Sequence, residues 1–537
     1  MLFNSGDFFF FFVAVFVGYW SLPRPWLRLG LVAAAVSYLI SRGDDLTGLA
    51  TALVQAPSWP TLARLDWRCA LAGIIGLVSV LVVRLGVDRA RVWLLLLSSF
   101  TFYASWNGQL AAIIFVTTAV DYLVARGMEQ SQRPVWRRTL LVASLVMNLG
   151  LLAYFKYANF FLESLDRALQ AMGASARHWG LDVILPIGIS FYTFEAINYT
   201  VDVYRRRVPA ERNLANFMLF ITFFPHLVAG PIVRARDFLP QIHRPKRWDW
   251  LRLQLGVQLV LMGLFKKMAI ADRMALFADP VFANPELYNT GAAWLATLAY
   301  ALQIYCDFSG YSDMALGTAH MLGYKLAPNF NMPYVAANIS EFWRRWHISL
   351  SSWLRDYLFI PLGGSRGSMG QTCRNLLITM TLGGLWHGAS WTFVVWGVLH
   401  GLVLILHRLF QAYCQTRPRL AQWLRTVPGT AARIVLTFTT VALLWVFFRA
   451  TTFTAALTMF HHLFVPHAGL GAPLHNRSLW YTVLLVVVCH VVALRGWWKA
   501  WSVRLPAPAM GFGYATVLTL ALVLAPDSGK AFIYFVF

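Results

Sequence analysis

Long apolar runs joined by short polar connections extend along most of the chain. Candidate membrane segments in the first part lie at residues 7–20, 27–40, 70–84, 92–105, 109–125 and 139–161. Further candidates follow at residues 183–203, 214–230, 251–271, 292–308, 376–410, 432–449, 477–494 and 510–525. A membrane-spanning helix needs about 20 mostly apolar residues. The pattern therefore predicts on the order of 11 to 14 membrane segments, with residues 376–410 forming two of them.

The length of these runs also predicts the fold class. Strands of membrane barrels alternate apolar and polar residues, so they would not give long unbroken apolar runs. We therefore expect an all-α polytopic membrane protein, and a single domain over residues 1–537, because no internal repeat divides the chain. No Lys or Arg precedes residues 7–20, as one would in a signal peptide. We therefore expect this segment to be the first membrane helix rather than a removed signal peptide. The polar stretch at 42–68 is predicted to be a connection.

Proline, glycine and polar residues interrupt the apolar runs between residues 183 and 401. Non-helical backbone at membrane depth is tolerated only where protein buries it or water reaches it, so we expect this part to line a cavity. Four carboxylates lie in or beside these runs: Glu195, Asp202, Asp307 and Asp313. A charged group at the bilayer centre costs at least about 2.5 kcal/mol on insertion scales, so we expect each to have a helix-to-helix hydrogen bond, an interfacial position or a functional role.

Composition supports the membrane class and explains the charge. The chain is 58% hydrophobic and 13% charged with a mean hydropathy of +0.57, whereas soluble domains are about 25% charged. Its net charge of +22 lies mostly in short basic loops at 133–138, 204–212, 243–252 and 415–425. Such loops are typical of the cytoplasmic side, and they argue against nucleic-acid binding. The five cysteines show no CxxC spacing, so neither a disulfide framework nor a thiolate zinc site is indicated.

The stretch "EFWRRWHISLSSWLRDYLFIPLGG" at 341–364 is amphipathic and basic. On one continuous helix through residues 341–357, a single stripe holds Trp343, Trp346, Leu350, Trp353 and Tyr357. The border of that stripe holds Arg344, His347, Ser351 and Arg355. An interfacial helix with aromatic and arginine anchors explains this composition without catalysis. The turn residues Pro361, Gly363 and Gly364 that follow also suit a segment that enters the protein and returns.

A second histidine lies in "TLGGLWHGASWTFVVWGVLHGL" at 381–402. His387 is surrounded by small residues that allow close approach of a ligand or a backbone. Histidine suits proton transfer near neutral pH, so His387 is the stronger candidate for a general base. His400 lies within a GxxxG pattern (Gly397 and Gly401) that indicates helix packing. We find no metal-binding spacing, hydrolase nucleophile motif or nucleotide-binding motif, and we predict no metal site.

In these blocks the chain resembles the membrane-bound O-acyltransferase superfamily, in particular its bacterial alginate O-acetylation type. The resemblance rests on "PIGISFYTFEAINYTVDVYR", "FFPHLVAGPIVR", "YCDFSGYSDMALG", "FWRRWHISLSSWLRDYLFIPLGG" and "GGLWHGASWTFVVWGVLHG". It implies a helical bundle with re-entrant or interfacial helices around a central tunnel. It also implies N-terminal membrane helices over 1–180, catalytic core segments over 181–411 and C-terminal membrane helices over 412–537.

The resemblance implies an activity and its partners as well. We expect an enzyme of the bacterial inner membrane that takes acetyl from cytoplasmic acetyl-CoA, with no permanently bound cofactor. The acetyl group would pass outward for O-acetylation of an alginate- or cellulose-type exopolysaccharide. A periplasmic acetyltransferase similar to SGNH hydrolases, the exopolysaccharide biosynthesis and secretion complex, and membrane lipid are the expected partners. Acyl transfer of D-alanine to a cell-wall polymer, or transport with His387 as a proton relay, are the alternatives.

Site residues follow from matching positions in the same motifs. The resemblance places His387 in the WHG motif as the catalytic histidine and His347 as the second catalytic position. Three arginines could meet CoA phosphates, or could equally serve lipid headgroups and the acidic residues Glu341 and Asp356: Arg344, Arg345 and Arg355. Five residues are expected to line the tunnel, with packing as the alternative: Tyr305, Asp307, Tyr311, Asp313 and Trp386.

Overall fold

The computed structural model describes residues 3–42, 66–173, 175, 180–227, 230–502, 504–526 and 532–533. Helices account for the named elements in these ranges, together with one isolated β-bridge between Tyr288 and Leu470. This confirms the predicted all-α class. Most of the predicted connection at 42–68 lies outside the described residues.

The described chain forms two compact units. The first comprises Met1–Val260 and Met314–Ala327, and the second comprises Leu261–Asp313 and Pro328–Phe537. The division of the chain into one domain with three sections stays a prediction.

The first unit is built from helices that follow one another closely along the chain. They are α1 (Gly6–Ser21), α2 (Pro25–Ser41), α3 (Trp67–Leu85), α4 (Val87–Ala104), α5 (Gly108–Gln130), α6 (Pro134–Leu152), α7 (Ala158–Ala171), α8 (Ile189–Tyr204), α9 (Leu214–Thr222), α10 (Phe224–Leu227) and α11 (Ala235–Ile242). A single π-helical turn, Ala153–Tyr157, joins α6 to α7.

The helices from residue 250 onward carry the second unit, and two of them also supply residues to the first. They are α12 (Trp250–Leu264), α13 (Asp272–Ala283), α14 (Thr290–Met321), α15 (Ile339–Arg345), α16 (Ile348–Leu354), α17 (Met369–His387), α18 (Trp391–Gln415), α19 (Pro418–Arg425), α20 (Val427–Arg449), α21 (Phe453–Phe464), α22 (Asn476–Leu494), α23 (Trp497–Ser502) and α24 (Ala507–Val523). The π-helical segment Phe265–Ala271 joins α12 to α13 without interruption.

Seven helical runs within the described ranges are long and apolar enough to span a membrane. They are Trp67–Leu85, Gly108–Gln130, Pro134–Ala171, Trp250–Ala283, Trp391–Gln415, Val427–Arg449 and Asn476–Leu494. Three shorter apolar helices, α1, α2 and α24, resemble them in composition. The chain is therefore a multi-pass membrane protein. The predicted division of residues 376–410 is confirmed, because α17 ends at His387 and α18 begins at Trp391.

Several helices begin at a polar side chain that accepts a hydrogen bond from the first turn. Asn107, Asn213 and Thr452 cap α5, α9 and α21 in this way. The start of α17 is a reciprocal pair, in which Ser368 accepts from the backbone of Gln371 and the Gln371 side chain accepts from the backbone of Ser368. These caps accept hydrogen bonds from first-turn N–H groups that have no partner within the helix. The local sequence therefore determines where these helices begin.

Several of the predicted apolar segments differ from the helices observed. The run at 183–203 is helical only from Ile189, because a turn with Gly188 in the left-handed region (φ 76°) precedes α8. The run at 214–230 breaks at Phe223, where the backbone is non-helical (φ −53°, ψ 107°). The run at 292–308 extends instead to Met321, and α14 continues unbroken through "YCDFSGYSD". We expected the glycine of that motif to interrupt the helix, and it does not.

The predicted continuous helix through residues 341–357 is wrong. It separates into α15 and α16, because Trp346 is extended (φ −102°, ψ 131°) and His347 is left-handed (φ 41°, ψ 55°). Backbone bonds to a neighbouring segment replace helical ones: Ile348 N–H donates to the Asn329 carbonyl and Asn331 N–H donates to the Arg345 carbonyl. The predicted border of the stripe, with Arg344, His347 and Ser351, is not one continuous surface. Arg344 is exposed, whereas His347 is fully buried.

Candidate active site

His387 is the last residue of α17, and the turn that follows it is tightly packed. Gly388 has an extended backbone, and a Cβ added there would lie 2.2 Å from the Phe393 ring. Ser390 then caps α18 by accepting from the Thr392 N–H. A side chain at position 388 would therefore have to displace the Phe393 ring, so glycine suits the residue directly after the histidine.

Close contact between α17 and α18 supports this turn. A Cβ on Gly384 would lie 2.3 Å from the Phe393 carbonyl oxygen and 2.9 Å from Gly397 Cα. A Cβ on Gly401 would lie 3.1 to 3.2 Å from Leu377 atoms. Gly397 and Gly401 therefore serve helix packing, as the sequence indicated.

His347 is positioned by a different device. Its left-handed conformation is uncommon for a residue with a side chain, and surrounding hydrogen bonds hold it. The Asn329 amide donates to Ser312 Oγ at 3.2 Å and its side-chain carbonyl accepts from Ser349 Oγ at 2.6 Å. Because the Asn329 backbone carbonyl also accepts from the Ile348 N–H, this one residue holds the start of α16, directly after the kink. Sequence reasoning did not identify Asn329.

The two predicted histidines lie together in the second unit. Their ring centroids are 6.3 Å apart, and His347 and His387 are 0% and 3% exposed. Trp386 lies against both, at 5.9 Å from the His347 ring and 5.1 Å from the His387 ring. Trp396 and Phe448 contact His387 at centroid distances of 5.1 and 5.2 Å. The result is an imidazole pair inside an aromatic enclosure, which limits access of water to any bond formed there.

Burial sets the protonation of His347. This residue lies between α15 and α16, neither of which is among the candidate membrane spans. Removal from water lowers the pKa of the His347 imidazole to about 3. His347 is therefore neutral near pH 7, with one ring nitrogen able to donate a hydrogen bond and the other able to accept one.

The three arginines predicted for CoA phosphates differ in their surroundings. Arg345 donates to Glu341 Oε1 at 3.0 Å from Nε and to the Asn331 carbonyl at 3.1 Å from a terminal nitrogen. Arg355 donates to its neighbour Asp356 at 2.7 Å. Arg344 is exposed. Arg345 and Arg355 thus bind the acidic partners that the sequence suggested, Glu341 and Asp356. Binding of CoA phosphates stays a prediction for all three arginines.

The carboxylates of the "YCDFSGYSD" block form ion pairs with two lysines. Lys267 Nζ lies 2.7 Å from Asp307 and 2.8 Å from Asp272, and all three side chains are nearly inaccessible. Lys266 Nζ lies 2.6 Å from Asp313. Sequence reasoning missed both lysines because they precede this block on a separate helical segment. The "FKK" sequence within an apolar run was the available signal.

The two tyrosines of that block pack among aromatic rings. Tyr305 lies 5.3 Å from Tyr334 and 6.3 Å from Trp346 between centroids. Tyr311 lies 4.2 Å from Phe532. Both tyrosines are buried. These contacts fit the packing alternative. A role in lining the tunnel stays a prediction for both tyrosines and also for Asp307, Asp313 and Trp386.

The first unit holds its own buried polar pair. Glu195 Oε1 lies 3.3 Å from His226 Nδ1 and accepts from the Val233 N–H at 2.8 Å, and both side chains are almost fully buried. Asp202 lies 3.8 Å from Arg207. Glu195 was identified from the sequence, but its partner His226 in "FFPHLVAGPIVR" was not.

His400 is packed among aromatic rings. Its ring lies 4.6 Å from Trp396 and 5.1 Å from Trp343 between centroids, which is consistent with a packing role. Within the described ranges, no group of three or more His, Cys, Asp or Glu side chains is arranged to hold a metal ion. The chemistry that the histidine pair can perform is proton transfer and hydrogen bonding.

Comparison with known proteins gives the chain a family. The sequence model of the membrane-bound O-acyltransferase family matches residues 205–449, a range that includes both histidines. A relative named probable alginate O-acetylase AlgI, from Pseudomonas aeruginosa, is 44% identical over 388 residues, which cover 70% of this chain and 70% of the relative.

Two further relatives differ in name. Peptidoglycan O-acetyltransferase of Helicobacter pylori is 38% identical over 398 residues, covering 68% of this chain and 72% of that protein. Teichoic acid D-alanyltransferase of Streptococcus thermophilus is 30% identical over 281 residues, covering 49% of this chain and 68% of that protein. The identity and coverage are sufficient for assignment: the chain belongs to the membrane-bound O-acyltransferase family and is an acyltransferase.

Proposed function

We propose that this protein transfers acetyl groups from cytoplasmic acetyl-CoA through the bacterial inner membrane for O-acetylation of an exopolysaccharide. The observation that carries the proposal is the pair of buried imidazoles, His347 and His387, with ring centroids 6.3 Å apart. Relatives named for O-acetylation of alginate and of peptidoglycan support acetyl as the group transferred. The polymer of this chain would be of the alginate or cellulose type.

In the proposed reaction, His387 acts as general base. Its imidazole accepts the proton of an acceptor hydroxyl as that oxygen attacks the thioester carbonyl carbon. The carbon–oxygen bond of the new ester forms and the carbon–sulfur bond breaks. The CoA sulfur leaves as a thiolate and takes the proton back from the imidazolium, so His387 returns to its neutral form. No external oxidant, reductant or metal is needed for this balance.

His347 would assist as a neutral group. Because its imidazole carries no charge near pH 7, its N–H can donate to the carbonyl oxygen of the thioester or orient His387. The aromatic enclosure of Trp386, Trp396 and Phe448 supports transfer over hydrolysis, since it excludes water from the thioester. Arg344 is exposed, whereas Arg345 and Arg355 are held by acidic neighbours, so Arg344 is the first of the three to test with CoA.

Delivery to the polymer would require a partner outside the membrane. We propose a periplasmic acetyltransferase similar to SGNH hydrolases, acting within the exopolysaccharide biosynthesis and secretion complex. The ester formed on the acceptor hydroxyl would be the acyl source, and the partner would move its acetyl group to the sugar hydroxyl, which frees the acceptor hydroxyl again. Co-purification of the tagged chain with such a periplasmic protein from the native host tests this part separately from the chemistry.

A cellular experiment separates enzyme from transporter. Cells that depend on this chain for an acetylated polymer receive the wild type, His387→Ala, or His461→Gln as a control at an exposed histidine of α21. With equal amounts of protein in the membrane, we expect His387→Ala to give polymer that is exported but lacks acetyl groups. Normal acetylation would remove the catalytic assignment, and loss of export itself would favour the transport alternative.

D-Alanyl transfer is the second candidate, supported by the relative named teichoic acid D-alanyltransferase. Its identity to this chain, 30%, is below the 44% and 38% of the relatives named for O-acetylation. Supplying membranes with either acetyl-CoA or a D-alanyl thioester of a carrier protein distinguishes the two. We expect label to reach polymer from acetyl-CoA only.

A further inference from the structure

A cavity of about 800 Å³ lies among α18, α19, α20 and the start of α15, all within the second unit. Its walls combine basic side chains with apolar ones, and it is partly open to the surface. Neither the proposed acyl transfer nor the histidine pair accounts for it. Its chemistry therefore needs a separate explanation.

The basic part of the wall contains His407, Arg425 and Arg433. His407 Nε2 and Arg433 Nε are buried and make no hydrogen bond within the part of the chain that the structure describes. Arg344 and Arg433 both act on His407 electrostatically. A buried N–H without an acceptor, as at Arg433 Nε, is unfavourable, so an acceptor from outside the chain would satisfy this wall.

The sequence offers this wall almost no negative charge. Between Asp356 and Asp527 the chain contains no Asp or Glu, while that stretch carries Arg425 and Arg433. Glu341, at the near side of α15, is already bound by Arg345 at 2.9 to 3.0 Å. An anion supplied by a ligand is consequently the partner that the electrostatics favour.

The apolar part of the wall is exposed at the protein surface. Leu406, Phe410 and Leu436 line the cavity and are 63%, 44% and 69% exposed. They belong to α18 and α20, both of which are candidate membrane spans. Exposed leucine and phenylalanine on such helices contact lipid chains. A ligand here would have its anionic group at the arginines and its apolar part continuous with the bilayer.

We propose that this cavity binds an anionic phospholipid, with the phosphate at Arg433, His407 and Arg425 and an acyl chain along Leu406 and Leu436. Arginine forms short, charge-assisted hydrogen bonds with phosphate oxygens, often two at a time. The phosphates of CoA share this chemistry. The exposed leucines favour the lipid, because CoA has no long apolar chain to cover them.

The test uses the full chain purified in detergent from membranes with equal amounts of phosphatidylglycerol and phosphatidylethanolamine. Native mass spectrometry then measures the lipid that remains bound. We expect the wild type to retain phosphatidylglycerol preferentially and Arg425→Gln with Arg433→Gln to lose about tenfold in retention. Arg419→Gln, an exposed arginine of α19 that does not line the cavity, is the matched control and should retain lipid normally.

A second variant leaves every charge in place. Thr440 lines the cavity, so Thr440→Phe should reduce retention by filling space, and equal melting temperatures will show that each variant is folded. Equal retention of both lipids by the wild type, or unchanged retention in both variants, would overturn the proposal. Displacement of the bound lipid by excess coenzyme A, with CoA binding lost in the arginine variant, would assign the site to CoA phosphates instead. These outcomes are independent of acetyl transfer, which is measured separately.

Discussion

Individual buried charges determine how much a single substitution can disturb this protein. Lys267 contacts two carboxylates, Asp272 and Asp307, in surroundings that exclude water almost completely. A buried charge is tolerable only while its partners remain, because desolvation is otherwise uncompensated. The same reasoning does not apply to the exposed pair of Arg167 and Glu163, whose charges water already solvates.

Lys267→Met should therefore lower the free energy of unfolding by about 3 to 5 kcal/mol, since it leaves two carboxylates buried without a cation. Adding Asp272→Asn and Asp307→Asn should recover much of the lost free energy of unfolding. Arg167→Met, the exposed control, should change stability by less than about 1 kcal/mol. Thermal unfolding in detergent measures all three, and a Lys267→Met protein as stable as the control would contradict the buried network.

The neutral state of His347 predicts a dependence of stability on pH. Its pKa is about 3 in the folded chain, against about 6.5 when unfolded. The unfolded chain binds more protons below pH 6.5, so the contribution is complete above that pH and falls as the pH is lowered toward 3. At pH 5 the loss amounts to about 2 kcal/mol.

His347→Gln should remove this part of the pH dependence. The measurement compares the melting temperatures of wild type and variant in detergent at pH 7 and pH 5. We expect the wild type to lose more stability than the variant between these values. Equal losses would mean that the His347 imidazole is already accessible to protons in the folded protein.

Among the helices, the contact between α17 and α18 places His387 and is the most sensitive to added volume. Gly384→Ala would bring a Cβ to 2.3 Å from the Phe393 carbonyl oxygen. The two helices must then separate, which should cost about 1 to 3 kcal/mol and reduce acyl transfer. Gly150→Ala in α6, where nothing lies within 4 Å of the added Cβ, is the control and should be neutral or slightly stabilising.

Thermal unfolding and acyl-transfer assays on both variants test this contact. Loss of activity in Gly384→Ala with unchanged melting temperature would still fit a displaced His387. Full activity and full stability would show that the helices are not in contact as described.

Helix positions were predictable to the extent that hydropathy determines them. Apolar runs identified α17 and α18 and the gap between them, because the polar break "HGAS" is local. The kink at Trp346 and His347 was not predictable from periodicity. Its cause is a set of hydrogen bonds to Asn329 and Asn331. Both residues lie outside the predicted helix at 341–357, so its apolar pattern gives no sign of them.

The candidate site divides in the same way. His387 and His347 were identified from motifs, and the structure brings them together. Lys266, Lys267 and His226 were missed, because ion pairs between remote segments leave no local signal in the sequence. Arg344 and Arg355 showed the opposite problem: their spacing placed them with His347 on one border of a continuous helix, but that helix breaks at Trp346 and His347.

For the molecule as a whole, the basic loops predict its orientation in the membrane. Positive residues are retained on the cytoplasmic side, so the loop at 415–425 should be cytoplasmic. Because α20 is a candidate membrane span from Val427 to Arg449, we expect its far end to lie on the opposite side.

Single cysteines introduced into a variant lacking the five native ones test this orientation. Arg419→Cys should react with an impermeant maleimide in inside-out vesicles only, and Thr451→Cys, also exposed, in right-side-out vesicles only. Labelling of both from the same side would contradict the topology.

The most direct measurement concerns the role of His387 in acetyl transfer. Purified wild type, His387→Gln and the exposed control His461→Gln are each given radiolabelled acetyl-CoA and a hydroxyl acceptor. We predict that His387→Gln lowers kcat by about 10² to 10⁴, the usual range for loss of a general base, with KM for acetyl-CoA little changed. A folded His387→Gln protein with kcat close to that of the wild type would contradict the proposed mechanism.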